Sequence, residues 1–446
     1  MPYDIIIGRD ETDKKRFGKK GLIYLGKGYV KMGQYTSLSN PIFMDIARSH
    51  VILIAGKRGS GKSYTLGSIA EELTTLTGEE KKNIAPLIFD TMGIFWTMKY
   101  KNEKDRFLLS DWGLKPRELP VQTFVPFGHY DKYIENQIPV DKKFSIKAKD
   151  MKPEDWILTF NLSMTEPTAV AIERAVNRLS KLRKDFDVDV IKEEINKDST
   201  TSQNTKNSAV GLFEAAEGWG IFANKGEKGT DVDELTTAGK TNILDLSVYN
   251  AVGAFNVRAL VIGLVSRKIF EQRMLARKKE EIQTLHHGLN YLSFDLKREK
   301  PLVWIFIDEI HEFIPQDYKT PASDALTQLL REGRQPGISM VMATQQPGVL
   351  SYDAITQSDI VIAHRLTAMK DIVALENMMQ SYLLKDIKRY LDELPNLKGS
   401  AILLDDNSER IYPMRARPRF TWHGGEAPIA IKVEKEKLEV ENEEEI

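Results

Sequence analysis

Apolar residues in this chain come in short runs separated by longer stretches of mixed polarity. They fall within residues 51–55, 86–90, 121–125, 241–247, 302–307, 338–343, 360–363 and 400–404, with single polar residues interrupting or ending some of them, as in VQTFV and TNILDLS. A strand covered by helices on both faces needs apolar side chains at every position, so such runs predict strands of a parallel sheet, except that the last, 400–404, precedes a hairpin-like return at 407–414. The intervening stretches predict helices, notably residues 64–76 and a long one over residues 256–284. The first half of the long helix is apolar and reads as buried. Its second half, EQRMLARKKEEI, is charged and reads as projecting. Strands alternating with helices predict an α/β fold.

Two regions depart from that pattern. Residues 1–40 are basic and punctuated by glycine, with short strands expected at 4–7 and 22–25 and Lys14, Lys15, Arg16, Lys19 and Lys20 between them. They predict a small N-terminal β-module, or an arm on the main domain. Residues 131–239 are polar, with helical stretches at 167–185 and 208–219 and a loop at 199–208, STTSQNTKNS. They predict a mostly helical insertion dividing a core made of residues 41–130 and 240–425. Arg174, Arg178, Lys181, Arg183 and Lys184 crowd one of its helices; a solvated face and a DNA-facing surface both fit. Residues 426–446 form an acidic tail without apolar periodicity, expected to be flexible.

Composition narrows the class. A chain of 446 residues with 41% hydrophobic residues can bury a sizeable core. Its net charge is −1, so a nucleic-acid site has to be a local patch. The absence of cysteine excludes disulfides and thiolate metal sites. No signal-peptide pattern and no membrane-length apolar run is present, so a soluble, cytoplasmic protein with no membrane partner is the expectation.

The chemistry centres on HVILIAGKRGSGKS. An apolar strand runs into G-x-x-x-x-G-K-[ST] at Gly56–Ser63, and a helix follows. In that context the pattern reads as a phosphate loop, whose backbone N–H groups close around phosphate oxygens. The candidate nucleotide-binding set is Gly56, Gly59, Ser60, Gly61, Lys62, Ser63 and Tyr64. Lys62 would reach the β- and γ-phosphates of ATP, and Ser63 would offer its hydroxyl to Mg²⁺. PLVWIFIDEI is a second apolar strand with acids at its end. Asp308 is the expected Mg²⁺ ligand and Glu309 the residue that polarises the attacking water. Gln345, just past the next strand, is suited to sensing the γ-phosphate or that water. Asp90, at another strand end, has two readings: a site residue, or the cap of its own turn. Arg331 and Arg334 lie between Glu309 and Gln345, and Arg334 is favoured as a charge near the γ-phosphate because the QPG turn would hold it at the sheet edge. Arg48 precedes the central strand, on the far side from its own nucleotide; in a head-to-tail ring it would face a neighbour's.

GKRGSGKS, FDTMG, TNILDLS, VWIFIDEIHEFI, REGRQPGI, MATQQP and RPRFTWHGG follow one another in an order that resembles the HerA-like ATPases of the HerA/FtsK superfamily. The resemblance spans residues 41–425. It implies a RecA-like P-loop core with an antiparallel extension, a homo-hexameric ring, and ATP-driven movement of double-stranded DNA in DNA repair or defence. NurA-like or other effector nucleases are the partners it implies. By motif, Lys62 and Ser63 match the family's phosphate loop, Asp308 and Glu309 its acidic strand end, Gln345 its sensor and Arg334 its sensing arginine. Arg48 is a near match to its trans-acting arginine. The family's N-terminal β-barrel has no counterpart of its size in residues 1–40. A ring that scaffolds or regulates a nuclease, with DNA movement secondary, is the alternative reading.

Overall fold

The computed structural model describes residues 3–32, 35–182, 185–224, 226–250, 256–286, 298–378 and 387–425. The expectations for Arg183, Lys184 and the 426–446 tail lie outside them. Thirteen strands form one sheet among the described residues. In chain order they are β1 (Ile5–Ile7), β2 (Leu22–Met32), β3 (Tyr35–Asp45), β4 (Val51–Ala55), β5 (Ile84–Asp90), β6 (Val121–Pro126), β7 (Lys142–Phe144), β8 (Thr241–Asp245), β9 (Leu302–Ile307), β10 (Ile338–Thr344), β11 (Ile360–His364), β12 (Ser400–Asp405) and β13 (Arg410–Ala416). Across the sheet the order is β1-β3-β2-β13-β12-β11-β4-β10-β9-β5-β8-β6-β7. From β11 to β7 every neighbouring pair is parallel, with Met340 opposite Val51 and Phe306 opposite Ile88. The β11–β12–β13–β2–β3 side is antiparallel.

The continuous apolar runs are explained by burial on both faces. Along β4, Leu53 and Ala55 join one core while Ile52 and Ile54 join the other. Helix α1 (Glu11–Phe17) follows β1, and helix α2 (Lys62–Thr74) follows β4. The second core takes Leu66, Ile69, Ala70 and Leu73 of α2 together with Ile5, Ile7, Ile23, Leu25, Ile42 and Met44. The N-terminal strands therefore continue the core sheet instead of standing apart, and the expected boundary at residue 40 falls inside β3. Local sequence could not reveal this, because β2 is joined to the sheet by β13, nearly four hundred residues later.

The opposite face carries α3 (Pro153–Thr159), α4 (Pro167–Lys181), α5 (Val188–Lys197), α6 (Gln203–Glu217), α7 (Val257–His286) and α8 (Ser323–Glu332). Trp156 anchors the helical region, 4.8 Å from Phe213 and 5.1 Å from Phe222 between ring centroids. The 199–208 loop is shorter than expected. Ser202 accepts a hydrogen bond from the Thr205 backbone N–H at 3.3 Å, so α6 starts at Gln203 in a stretch whose polar composition hides the helix. The second half of α7 does not simply project. Arg273 is buried, donating to the Pro336 carbonyl at 2.8 Å and pairing with Glu280 at 3.4 Å.

Candidate active site

Where the apolar runs of parallel strands give out, they give out at one edge. That edge collects the loop after β4, Gln345 after β10, Asp308 and Glu309 after β9, Asp90 on β5, Asp245 on β8 and His364 on β11. An open parallel sheet presents its ligand site there. The loop after β4 is tied to both neighbouring strands: the Gly56 N–H donates to Thr344 O at 3.2 Å and the Lys57 N–H to Arg365 O at 3.0 Å. Gly59 and Gly61 have φ of +76° and +112°, where a side chain is strained. A Cβ on Gly56 would lie 2.7 Å from the His364 Cβ and 2.5 Å from Ser60 Oγ. Helix α2 begins with no side-chain cap on its first N–H groups. Free amides, a glycine cradle and a buried Ser60 Oγ without a hydrogen-bond partner among the described residues fit a bound phosphate chain. Ser63 is the second residue of α2, half-buried, on the same turn as Lys62.

Lys62 is buried, and its Nζ donates to Lys57 O at 3.3 Å. Burial lowers its pKa, and the nearby Glu309 and Asp308 charges oppose that. Asp308 Oδ1 accepts the Glu309 N–H at 2.9 Å. Glu309 adopts φ +51°, a left-handed conformation costing a residue with a side chain about 1–3 kcal/mol. Its Oε1 accepts from Gln345 Nε2 at 2.9 Å. Its Oε2 is buried with no hydrogen-bond partner among the described residues, 3.5 Å from His311 Nδ1. Burial, then repulsion from Asp308, pushes the Glu309 carboxyl up to about 7. The arrangement brings together the cation, both acids and the amide that the sequence singled out. The donor set, a hydroxyl and a carboxylate, suits Mg²⁺. Among the described residues no group of three or more His, Cys, Asp or Glu side chains is arranged to hold a metal ion.

Other residues take different places. Tyr64 turns away from the loop; its hydroxyl accepts the Arg419 N–H at 2.7 Å, and its ring packs edge-on against His423. Asp90 is committed to its turn, accepting from the Gly93 N–H at 2.8 Å and the Phe95 N–H at 2.7 Å. Burial and the adjacent Asp245 hold it above the usual carboxylate range. Arg334 is not at the phosphate loop. It stands in the turn before β10, while Gln345 follows the end of that strand, about 20 Å away across seven residues. There Arg334 Nη2 lies 3.3 Å from Asp359 Oδ2. Arg48 is at the same amino edge, held by both Asp13 oxygens at 2.9 Å. A cleft of about 480 Å³ opens between them, lined also by Arg273, Arg277 and Arg298. Arg331 is paired with Asp353 at 2.9 Å.

The sequence reading overlooked His364. Its Nδ1 lies 3.0 Å from the Ser400 carbonyl, which can only accept, so Nδ1 carries the ring's N–H and Nε2 accepts a hydrogen bond from the Thr65 hydroxyl at 3.0 Å. Burial holds this ring neutral, with its pKa down at about 4. The signal was a polar residue closing an apolar strand, the same one that marked Asp308. Also missed was Glu71, buried on α2, which accepts from Arg417, Arg419 and the backbone of Phe420 and Thr421 at 2.9–3.1 Å.

A family model described as the central domain of helicase HerA matches residues 30–269. The DNA double-strand break repair helicase HerA of Pyrococcus furiosus is 25% identical over 42% of this chain, which spans 36% of that protein's length. The probable HerA of Methanocaldococcus jannaschii is 22% identical over 78% of this chain and 69% of its own. Among solved structures, VirB4 of Thermoanaerobacter pseudethanolicus superposes with a TM-score of 0.52 at 12% identity, covering 89% of this chain and 96% of that one. The bacterial conjugative coupling protein TrwBdeltaN70 gives 0.50 at 12% identity, covering 91% and 96%. These two share the fold, a RecA-like P-loop core.

Proposed function

This chain belongs to the family of the HerA helicase central domain, and from that membership and the geometry of the carboxyl edge we propose that it is an ATPase that moves double-stranded DNA. The observation that carries the reading is Glu309: a strained acid beside buried Lys62, with one oxygen held by Gln345 and the other buried without a hydrogen-bond partner. An oxygen left free in that way is suited to receive a proton from an attacking water. Lys62 and the α2 amides would neutralise the phosphate chain, and Ser63 and Asp308 would hold Mg²⁺, which would supply further positive charge there. Gln345 orients Glu309 and so ties the base to the neighbouring strand. Arg48 and Arg334 stand at the opposite edge, out of reach of their own subunit's nucleotide. A head-to-tail hexamer would bring them to the next subunit's nucleotide, making the site a shared one. A nuclease or other effector that processes the moved DNA is the expected partner.

The test is ATP turnover with duplex DNA of increasing length at graded salt. Turnover rising with DNA length and falling steeply with salt is expected, because phosphate contacts release counterions. Turnover indifferent to DNA at every length would turn the reading toward a ring that regulates a nuclease.

A further inference from the structure

The amino edge of the sheet holds a buried ion network that the chemistry above leaves unused. His50, immediately before β4, is 1% exposed. Its Nδ1 lies 2.7 Å from Asp359 Oδ2 and its Nε2 3.2 Å from Asp45 Oδ2. An ionised carboxylate only accepts, and a neutral imidazole has a single N–H. A ring with a carboxylate on each nitrogen therefore carries both protons. Asp45 also accepts from Arg9 Nε at 2.6 Å and from the Arg48 backbone N–H at 2.9 Å. Asp359 also accepts from the Val51 N–H at 2.8 Å and from Arg334 Nη2 at 3.3 Å. Asp405, which accepts the Gly8 N–H, adds a negative charge facing Asp359. Asp13 holds the outer end of Arg48. Gly8, at φ +74°, closes the network; a Cβ there would come within 2.9 Å of His50 Cε1.

Two exposed arginines thus hang from one buried centre. The backbone of Arg48 is held through Asp45, the side chain of Arg334 through Asp359, and His50 bridges the two acids. We propose that His50 is a positioning residue, whose imidazolium between Asp45 and Asp359 sets Arg48 and Arg334 as a matched pair for the neighbouring subunit's nucleotide. The proposal rests on the shared-site reading above. Burial disfavours charge on His50, but the two carboxylates more than offset it and raise its pKa to about 9. The ordinary value is about 6.5, so the clamp is complete below that and is lost as pH rises through about 9.

Turnover is measured on the full chain for wild type, His50→Gln, Arg48→Ala with Arg334→Ala, and the triple variant. His50→Gln should lower kcat about tenfold, as small misplacements of a charge do, with KM little changed. In the double-arginine background it should cost nothing further. An equal loss in both backgrounds means that His50 acts only on the fold, and overturns the proposal while the shared site stands. Wild-type turnover in the double-arginine variant itself removes the shared site, and the proposal with it. Should His50→Gln fail to fold, the wild-type pH profile decides. Turnover should fall through about pH 9 in the wild type and not in the double-arginine variant, and an equal fall in both overturns the proposal.

Discussion

Glu309 combines two features that a merely structural residue rarely has: a left-handed backbone and a buried oxygen without a hydrogen-bond partner among the described residues. If it is the base, Glu309→Gln should bind ATP normally and lose turnover by about 10²-fold or more. Lys62→Ala should instead lose the binding itself, read by fluorescent-nucleotide titration. Near-normal turnover in Glu309→Gln would mean that another group takes the proton. Glu71 makes a second residue-scale case. Burial opposes its charge, yet Arg419, Arg417 and the surrounding donors hold its pKa below the usual range. Removing one partner of a buried pair costs about 3–5 kcal/mol, so Arg419→Met should lower urea stability by that order at neutral pH. A depressed carboxyl contributes stability above its unfolded pKa and loses it as pH falls through the folded one. The gap between variant and wild type should therefore narrow in acid; a gap independent of pH would mean that packing, not charge, is lost.

At the level of elements, α2 works from both ends. Its first turn has no side-chain cap, as the proposed phosphate site requires, and Glu71 in its last turns is strapped by the 417–421 segment. The strap explains why a motif so late in the chain belongs with the phosphate loop. The helices over residues 153–217 are joined to the sheet in the same way, by burial. Trp156, Phe213 and Ile172 belong to one continuous core with Leu53, Phe89 and Ile305 of the strands. Trp156→Ala should cost about 3–5 kcal/mol. Because the core is shared, calorimetry should show one transition shifted downward as a whole. Two transitions, with the upper one unmoved, would make the helical region a separate folding unit.

The whole molecule presents two chemically distinct edges about 20 Å apart, on either end of the same short parallel strands. The phosphate loop, Asp308, Glu309 and Gln345 occupy one, and an arginine cleft the other. On the shared-site proposal a single subunit is incomplete, and turnover per subunit should rise with protein concentration. Arg48→Ala should leave nucleotide binding intact and cut turnover by up to about 10³-fold, the scale of an arginine supplied in trans. Mixed with Lys62→Ala subunits it should recover little, since a productive interface needs both residues intact on adjacent chains. Full turnover by monomers at high dilution would rule out the shared site. Among the described residues no helix is long and apolar enough to cross a membrane.

Seven of the eight parallel strands, all but the three-residue β7, together with the phosphate loop and the acids at Asp308 and Glu309, were legible in the sequence, because each obeys a local rule. A doubly buried strand must be apolar throughout, and the first polar residue after it marks the sheet's edge. Gln345 followed from the same rule. Which edge a turn lies on is not local: Arg334 precedes its strand and so stands with Arg48, although the sequence places it between two residues of the opposite edge. The same limit hid the union of β2 with β13, the strap on Glu71 and the clamp around His50. Each joins residues up to several hundred positions apart, and only the closed sheet, by excluding water around those charges, decides that they must find one another.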